Sequence, residues 1–180
     1  MAKMLYAATM SLDGFIAGHG GDMSWLKPYF GPDPEMDGLV HRIGALLVGR
    51  RTFEGDDPNK GTEHEGAFGG AWSGPTFVLT HRIPPEPVPG TTFVDDLEEA
   101  VAAAKEAAGD KYVSILGANV ARECLDAGLL DEVLACVAPV MLGDGTRLFE
   151  RPGGDYVRLE RISLTHSPFS TNIWTRVLPR

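Results

Sequence analysis

At 180 residues, with 43% hydrophobic and 23% charged side chains, the chain suits one domain with a sizeable core, and its composition excludes a disordered, collagenous or disulfide-stapled protein. A balance of 25 Asp and Glu against 16 Lys and Arg gives a net charge of −9, which argues against a basic nucleic-acid surface or an anionic-membrane surface. No apolar run approaches the ~20 residues of a membrane helix, no leader pattern opens the chain, and the two cysteines form no CxxC or His-rich cluster. The expectation is a single cytoplasmic domain over residues 1–180, with Cys124 and Cys136 reduced and buried, no metal, no nucleic acid and no membrane partner.

Residues 4–10 read as a first strand, apolar on both faces and therefore central. Asp13-Gly14 marks a sharp turn, and residues 18–33, rich in Gly, Pro and aromatics, form a loop whose apolar anchor is Trp25-Leu26. The spacing of Met36, Leu39, Val40 and Ile43 predicts a helix over 34–43, with Asp33 as N-cap and Pro34 in the first helical position. The next strand ends in Gly49-Arg50-Arg51-Thr52, after which 52–55 could open a short helix. Residues 56–74 carry no period and make a long loop, mobile or functional, whose lone His64 lacks the second histidine of a zinc-protease motif.

A strand over 76–79 runs into Thr80-His81-Arg82, and a proline-rich connector over 84–89 leads through 92–94 to a helix over 96–108 capped by Asp95. The strand over 112–116 ends in Gly117, and a helix over 118–127 closes on Gly128. Residues 132–138 read as a strand, and 157–165 with 172–178 as an antiparallel hairpin. The order is that of an α/β fold: a mixed, mostly parallel sheet of about eight strands flanked by helices, with a C-terminal antiparallel hairpin.

Three strands thus end in a glycine or a small polar residue, two of them followed by basic side chains. If they are parallel neighbours, their carboxyl ends make a phosphate-binding rim, the place where open α/β sheets take ligands. Gly117 at a strand-to-helix corner would set free backbone N–H groups and the positive helix end against a pyrophosphate, although the spaced glycines of the dinucleotide fingerprint are missing and a purely structural corner fits as well. Arg50 and Arg51 supply guanidinium groups and Thr52 a hydroxyl; alternatively the arginines are a solvated pair. Thr80-His81-Arg82 is a second donor set, and one set for the pyrophosphate with one for a 2′-phosphate would favour NADP. The reacting end falls near the first strand and the loop after it, where Asp13, Trp25, Asp33, Glu35 and Asp37 are the local candidates. Turn, packing and capping roles account for the first three equally well.

The segments Ser11–Ala17, Leu47–Glu54, Val78–Arg82, Leu116–Val120 and Pro139–Phe149, in this order, resemble the dihydrofolate-reductase-like proteins that share the C-terminal reductase domain of the bacterial bifunctional riboflavin-biosynthesis deaminase/reductase. The resemblance runs from Lys3 to Leu178 and implies an eight-stranded dihydrofolate-reductase-like sheet, NADPH as cofactor and pairing into homodimers. It implies phosphate contacts at Gly49, Arg50, Arg51 and Thr52, the 2′-phosphate region at Thr80, His81 and Arg82, and the pyrophosphate at Gly117, Ala118, Asn119 and Val120. Ala8 and Ile16 would approach the nicotinamide, and Asp33, with Glu35 or Asp37 as weaker choices, would stand where dihydrofolate reductases place a carboxylate to protonate the pterin; Asp13 and Trp25, from their place after the first strand, are the expected substrate residues. The loop over 25–34 departs from the substrate region of that enzyme, and no zinc-ligand pattern of the deaminase domain is present. The expected activity is hydride transfer from NADPH to a small pterin-like or pyrimidine-like heterocycle, or to a ribityl- or ribosyl-linked relative. The alternative is a nucleotide-binding or sensor protein without turnover.

Overall fold

The computed structural model describes residues 1–55 and 57–179. Four strands, β1 (Met4–Ser11), β3 (Ile43–Gly49), β4 (Thr76–Leu79) and β6 (Tyr112–Leu116), make the parallel centre, and β5 (Thr91–Val94), β7 (Glu132–Ala138), β9 (Leu159–His166) and β10 (Thr171–Val177) extend it on either side. The order is β5-β4-β3-β6-β1-β7-β10-β9; every pairing is parallel until β10 runs antiparallel to β7 and to β9. This is the mixed eight-stranded sheet with a terminal hairpin that the sequence predicts. A second, two-stranded antiparallel sheet, β2 (Phe15–Ala17) with β8 (Thr146–Arg147), is additional. Two- and three-residue strands carry no readable period.

Strand alternation sorts the apolar residues into two layers. Tyr6, Ala45, Leu47, Val113 and Ile115 face one layer, closed by α3 (Leu97–Ala108) through Ala100, Val101 and Ala104 and by α4 (Ala118–Asp126) through Val120, Ala121 and Cys124. Leu5, Ala7, Leu46, Val48, Leu134 and Trp174 face the other, covered by Leu39 of α1 (Pro34–Val40) and by Ala67, Phe68 and Trp72 of the long loop. Cys124 and Cys136 are buried free thiols.

Most boundaries agree to within one or two residues, and three differences have a local reason. Helix α1 ends at Val40 because Ile43, apolar at a helical interval, belongs to β3 instead. Helix α3 is capped by Asp96, whose carboxylate accepts from the Glu99 N–H at 2.9 Å, so the adjacent Asp95 lies outside it. The basic corner itself is helical, since α2 spans Arg50–Phe53 and not 52–55. Asp56, at the start of the long loop, lies outside the described residues. From 57 onward the loop is tied down by Asp57, which accepts from Asn59 N (2.8 Å) and Gly66 N (2.7 Å), and by Trp72, which donates to the Ile43 carbonyl (3.2 Å).

Candidate active site

Strands β4, β3 and β6 are consecutive, with Leu79 paired to Gly49 and Val48 to Leu116, so the three predicted strand ends form one continuous edge. Gly117 has φ 107° and ψ 130°, and a Cβ there would lie 2.5 Å from Thr52 Oγ1. Across the same corner a Cβ on Gly49 would lie 3.0 Å from Val120 Cγ2. Gly49, Thr52, Gly117 and Val120 therefore meet at the mouth of α4. Helix geometry leaves the N–H groups of Ala118, Asn119 and Val120 without intrahelical acceptors there, since the Gly117 carbonyl accepts first from Ala121.

The basic groups differ in their engagement. Arg50 Nε donates to Glu54 Oε1 at 2.9 Å, whereas Arg51, His81 and Arg82 are exposed and have no ion-pair partner among the described residues. Thr80 is buried, and its hydroxyl accepts from Arg82 N at 3.1 Å; Val120 is buried as well. These two shape the rim, while Arg51, Asn119, His81 and Arg82 present it to solvent.

At the other end of the edge, Ala8 in β1 and Ile16 in β2 are half-buried. Asp13 between them is engaged by the protein itself: Ser11 Oγ donates to it at 2.6 Å, Leu142 N at 3.0 Å and Gly143 N at 2.7 Å. The Ser11 hydroxyl and these N–H groups lower its carboxyl to about 2. Asp13 thereby stitches the first turn to the 139–145 segment, which the Leu12 N–H to Val140 carbonyl bond (2.7 Å) also holds. The arrangement is a latch between the two loops.

Trp25 lies in a short 3-10 helix, Ser24–Tyr29, tilted against Tyr29 at 6.3 Å between ring centroids, and its indole N–H is buried with no hydrogen-bond acceptor among the described residues. Asp33 is the N-cap of α1, as predicted, accepting from Glu35 N (3.0 Å) and Met36 N (3.4 Å). Asn172 Nδ2 also donates to both of its oxygens, at 3.1 and 2.8 Å, and Ser170 Oγ lies 3.1 Å away. Burial raises this carboxyl, but the hydrogen bonds from Asn172, Met36 N, Ser170 and Glu35 N outweigh it and hold it below the ordinary carboxylate value. Sequence reasoning missed Ser11, Ser170 and Asn172. The one signal was a polar residue, Asn172, at a core-facing position of a strand. Among the described residues no group of three His, Cys, Asp or Glu side chains gathers to hold a metal, and no helix is long and apolar enough to cross a membrane.

An eight-stranded mixed sheet whose adjacent parallel strands end on a donor-lined edge defines the dihydrofolate-reductase-like class of α/β proteins. Within that class the chain belongs to the RibD C-terminal domain family, whose model matches residues 2–169. It is 28% identical to "Uncharacterized protein YyaP" of Bacillus subtilis (strain 168), over 82% of this chain and 80% of that one. Among solved structures, a Shewanella sp. PV-4 protein provisionally assigned to riboflavin biosynthesis superposes with a TM-score of 0.76 at 24% identity, covering 99% of this chain and all of that one. The riboflavin biosynthesis reductase Rib7 of Saccharomyces cerevisiae gives 0.64 at 18% identity, over 98% of this chain and 90% of that one. A Thermotoga maritima diaminohydroxyphosphoribosylaminopyrimidine deaminase/5-amino-6-(5-phosphoribosylamino)uracil reductase gives 0.68 at 19% identity; the match covers 98% of this chain and 57% of that one.

Proposed function

We propose that the chain is an NADPH-dependent reductase acting on a small pyrimidine-like or pterin-like heterocycle or a ribityl- or ribosyl-linked relative. The observation that carries this reading is the rim: three adjacent parallel strand ends, two glycines that let Thr52 and Val120 close in on the corner, a helix mouth with no side-chain cap, and three exposed basic groups without acidic partners among the described residues, on a chain of charge −9. This donor set fits a dinucleotide phosphate. The N–H groups of residues 118–120 and Thr52 would hold the pyrophosphate with Arg51, and His81 with Arg82 the 2′-phosphate, while Ala8 and Ile16 flank the nicotinamide.

The cofactor, when bound, supplies the hydride, and the protein contributes position and electrostatics. Asp33, capped and bonded on both oxygens, orients α1 in ionised form at neutral pH. The accompanying proton is therefore drawn from water reaching the site. Asp13 holds the floor under Ile16, and Trp25 forms part of the substrate-side wall.

Thermal unfolding with NADPH and with NADH tests the cofactor. A hundredfold excess over Kd should add ~2.7 kcal/mol of stability. Arg82→Ala should weaken NADPH more than NADH, and equal weakening of both refutes the 2′-phosphate assignment. NADPH oxidation across pterins, flavins and pyrimidine intermediates tests the reaction; binding with no oxidation by any of them would favour the sensor reading.

The same reading makes the chain a cytoplasmic homodimer. Cross-strand rows Ala8–Ala135–Ile173–Leu164 and Met10–Val137–Thr171–His166 lie on one sheet face, and α3 and α4 pack chiefly on β3–β6. Leu164 is 58% exposed there. Leu164→Asp should convert a dimer to a monomer in sedimentation experiments, whereas a monomeric parent chain refutes the pairing.

A further inference from the structure

The substrate-side wall is held by the last hairpin as well as by its own helix. Phe169, in the turn between β9 and β10, lies with its ring edge against Gly31, so that a Cβ at position 31 would fall on the ring. Two residues further on, Asp33 receives Asn172 and Ser170. Thr165 Oγ1 donates to Glu35 Oε2 at 3.0 Å, and the Cys136 thiol lies 3.6 Å from the Met36 sulfur. Contacts at 31, 33, 35 and 36 thus fasten the start of α1, and the residue pair that follows the short helix carrying Trp25, to β7, β9 and β10 and the turn between the last two, none of which borders the phosphate rim.

Asn172 is 1% exposed. Burying a carboxamide is costly unless its hydrogen bonds are made, and its side-chain bonds here go to Asp33 and Ser170: Nδ2 donates to Asp33, and Oδ1 lies 2.8 Å from Ser170 Oγ. On this face of β10 Asn172 precedes Trp174 and Arg176, and its side chain reaches only its own turn and the wall.

We propose that the β9–β10 turn is a positioning element for the substrate side of the site. Asn172 clamps Asp33, Phe169 acts as a stop against Gly31, and together they fix the pose of residues 24–36 without touching cofactor or substrate. The functional half of this inference rests on the reductase reading; the structural half does not.

The test uses full-length protein labelled with 5-fluorotryptophan, whose three tryptophans give three ¹⁹F resonances, Trp25 being assigned through Trp25→Phe. Asn172→Ala and Gly31→Ala should each move or broaden the Trp25 resonance and leave that of Trp72 in place. Adding Phe169→Ala to Gly31→Ala should restore it, because the stop is then gone. A Trp25 resonance unmoved by Gly31→Ala, or one that Phe169→Ala fails to restore, overturns the proposal. In turnover with the best compound of the panel, both single variants should raise KM about tenfold, equivalent to 1.4 kcal/mol, with NADPH affinity unchanged. A parallel loss of NADPH affinity would show general loosening of the fold and overturn the positioning role. If no compound is turned over, the reductase reading falls, and the ¹⁹F result still decides the proposal.

Discussion

Gly117 carries two constraints at one atom position. Its backbone lies where side-chain-bearing residues are strained by on the order of 1–3 kcal/mol, and the Thr52 hydroxyl occupies the space a Cβ would need. Gly117→Ala should therefore lower stability by about that amount in urea titrations and weaken NADPH by more than Ala at exposed Asn119, which shares the helix mouth without the steric conflict. Asp13 makes a prediction of a different kind. Its carboxyl is lowered from 3.8 to about 2 in the folded protein by Ser11 and two backbone N–H groups. The stability it contributes is complete above the unfolded value and is lost as pH falls through the folded one. Asp13→Asn should accordingly reduce stability at pH 7 and flatten the acid-side loss between about pH 4 and pH 2, as followed by denaturant midpoints across that range.

At the scale of elements, α1 shows what a short helix needs. Seven residues are too few to persist alone, and the helix stands because Asp33 caps it, Leu39 is buried under it, and β10 grips the cap. Asp33→Ala should cost about 0.5–2 kcal/mol for the lost cap and about 1–3 kcal/mol more for leaving the Asn172 amide unpartnered. Asp33→Asn, which keeps an acceptor, should lose less. If water supplies the proton, Asp33→Asn should also leave the pH dependence of turnover unshifted; a shift would restore the carboxyl as the acid. The Asp33-Pro34 start of this helix was legible because both residues act through their own backbone. The end was not, because Ile43 suits a helical stripe and a strand start equally, and only the neighbouring β6 and β4 decide between them. Asp95 and Asp96 pose the same ambiguity one residue apart. The rim was legible since glycine and arginine at strand ends are local signals. The Asp13 latch and the Asn172 clamp were not, since their partners lie 129 and 139 residues away.

On the scale of the whole molecule, the two ends of the parallel strands do different work. At the carboxyl end the N–H groups of residues 118–120 have no intrahelical acceptor, and it is there that the proposed function puts the cofactor phosphates. At the amino end Glu132, 2% exposed at the start of β7, accepts from Lys3 Nζ (2.7 Å), Tyr112 Oη (2.9 Å) and Trp174 Nε1 (2.9 Å), so one carboxylate joins β7 to β6, β10 and the residue preceding β1. Arg42 stacks over the Tyr112 and Trp174 rings at 5.0 and 5.1 Å and closes the cluster. Burial and the Glu132 carboxylate together push the Tyr112 hydroxyl up to about 12, which keeps it a donor across the physiological range. Glu132→Gln retains volume and acceptor but turns an amide toward a neighbour built for a carboxylate, so a loss of about 1–3 kcal/mol is expected. Because this cluster sits a full strand length from Gly49 and Gly117, the loss should appear in the denaturation midpoint while NADPH affinity, measured well below that midpoint, stays within twofold of the parent chain. If Glu132→Gln weakened NADPH as strongly as Gly117→Ala, the two ends would be energetically coupled through β6 and β7, and the division between a fold-fixing edge and a ligand-binding edge would fail.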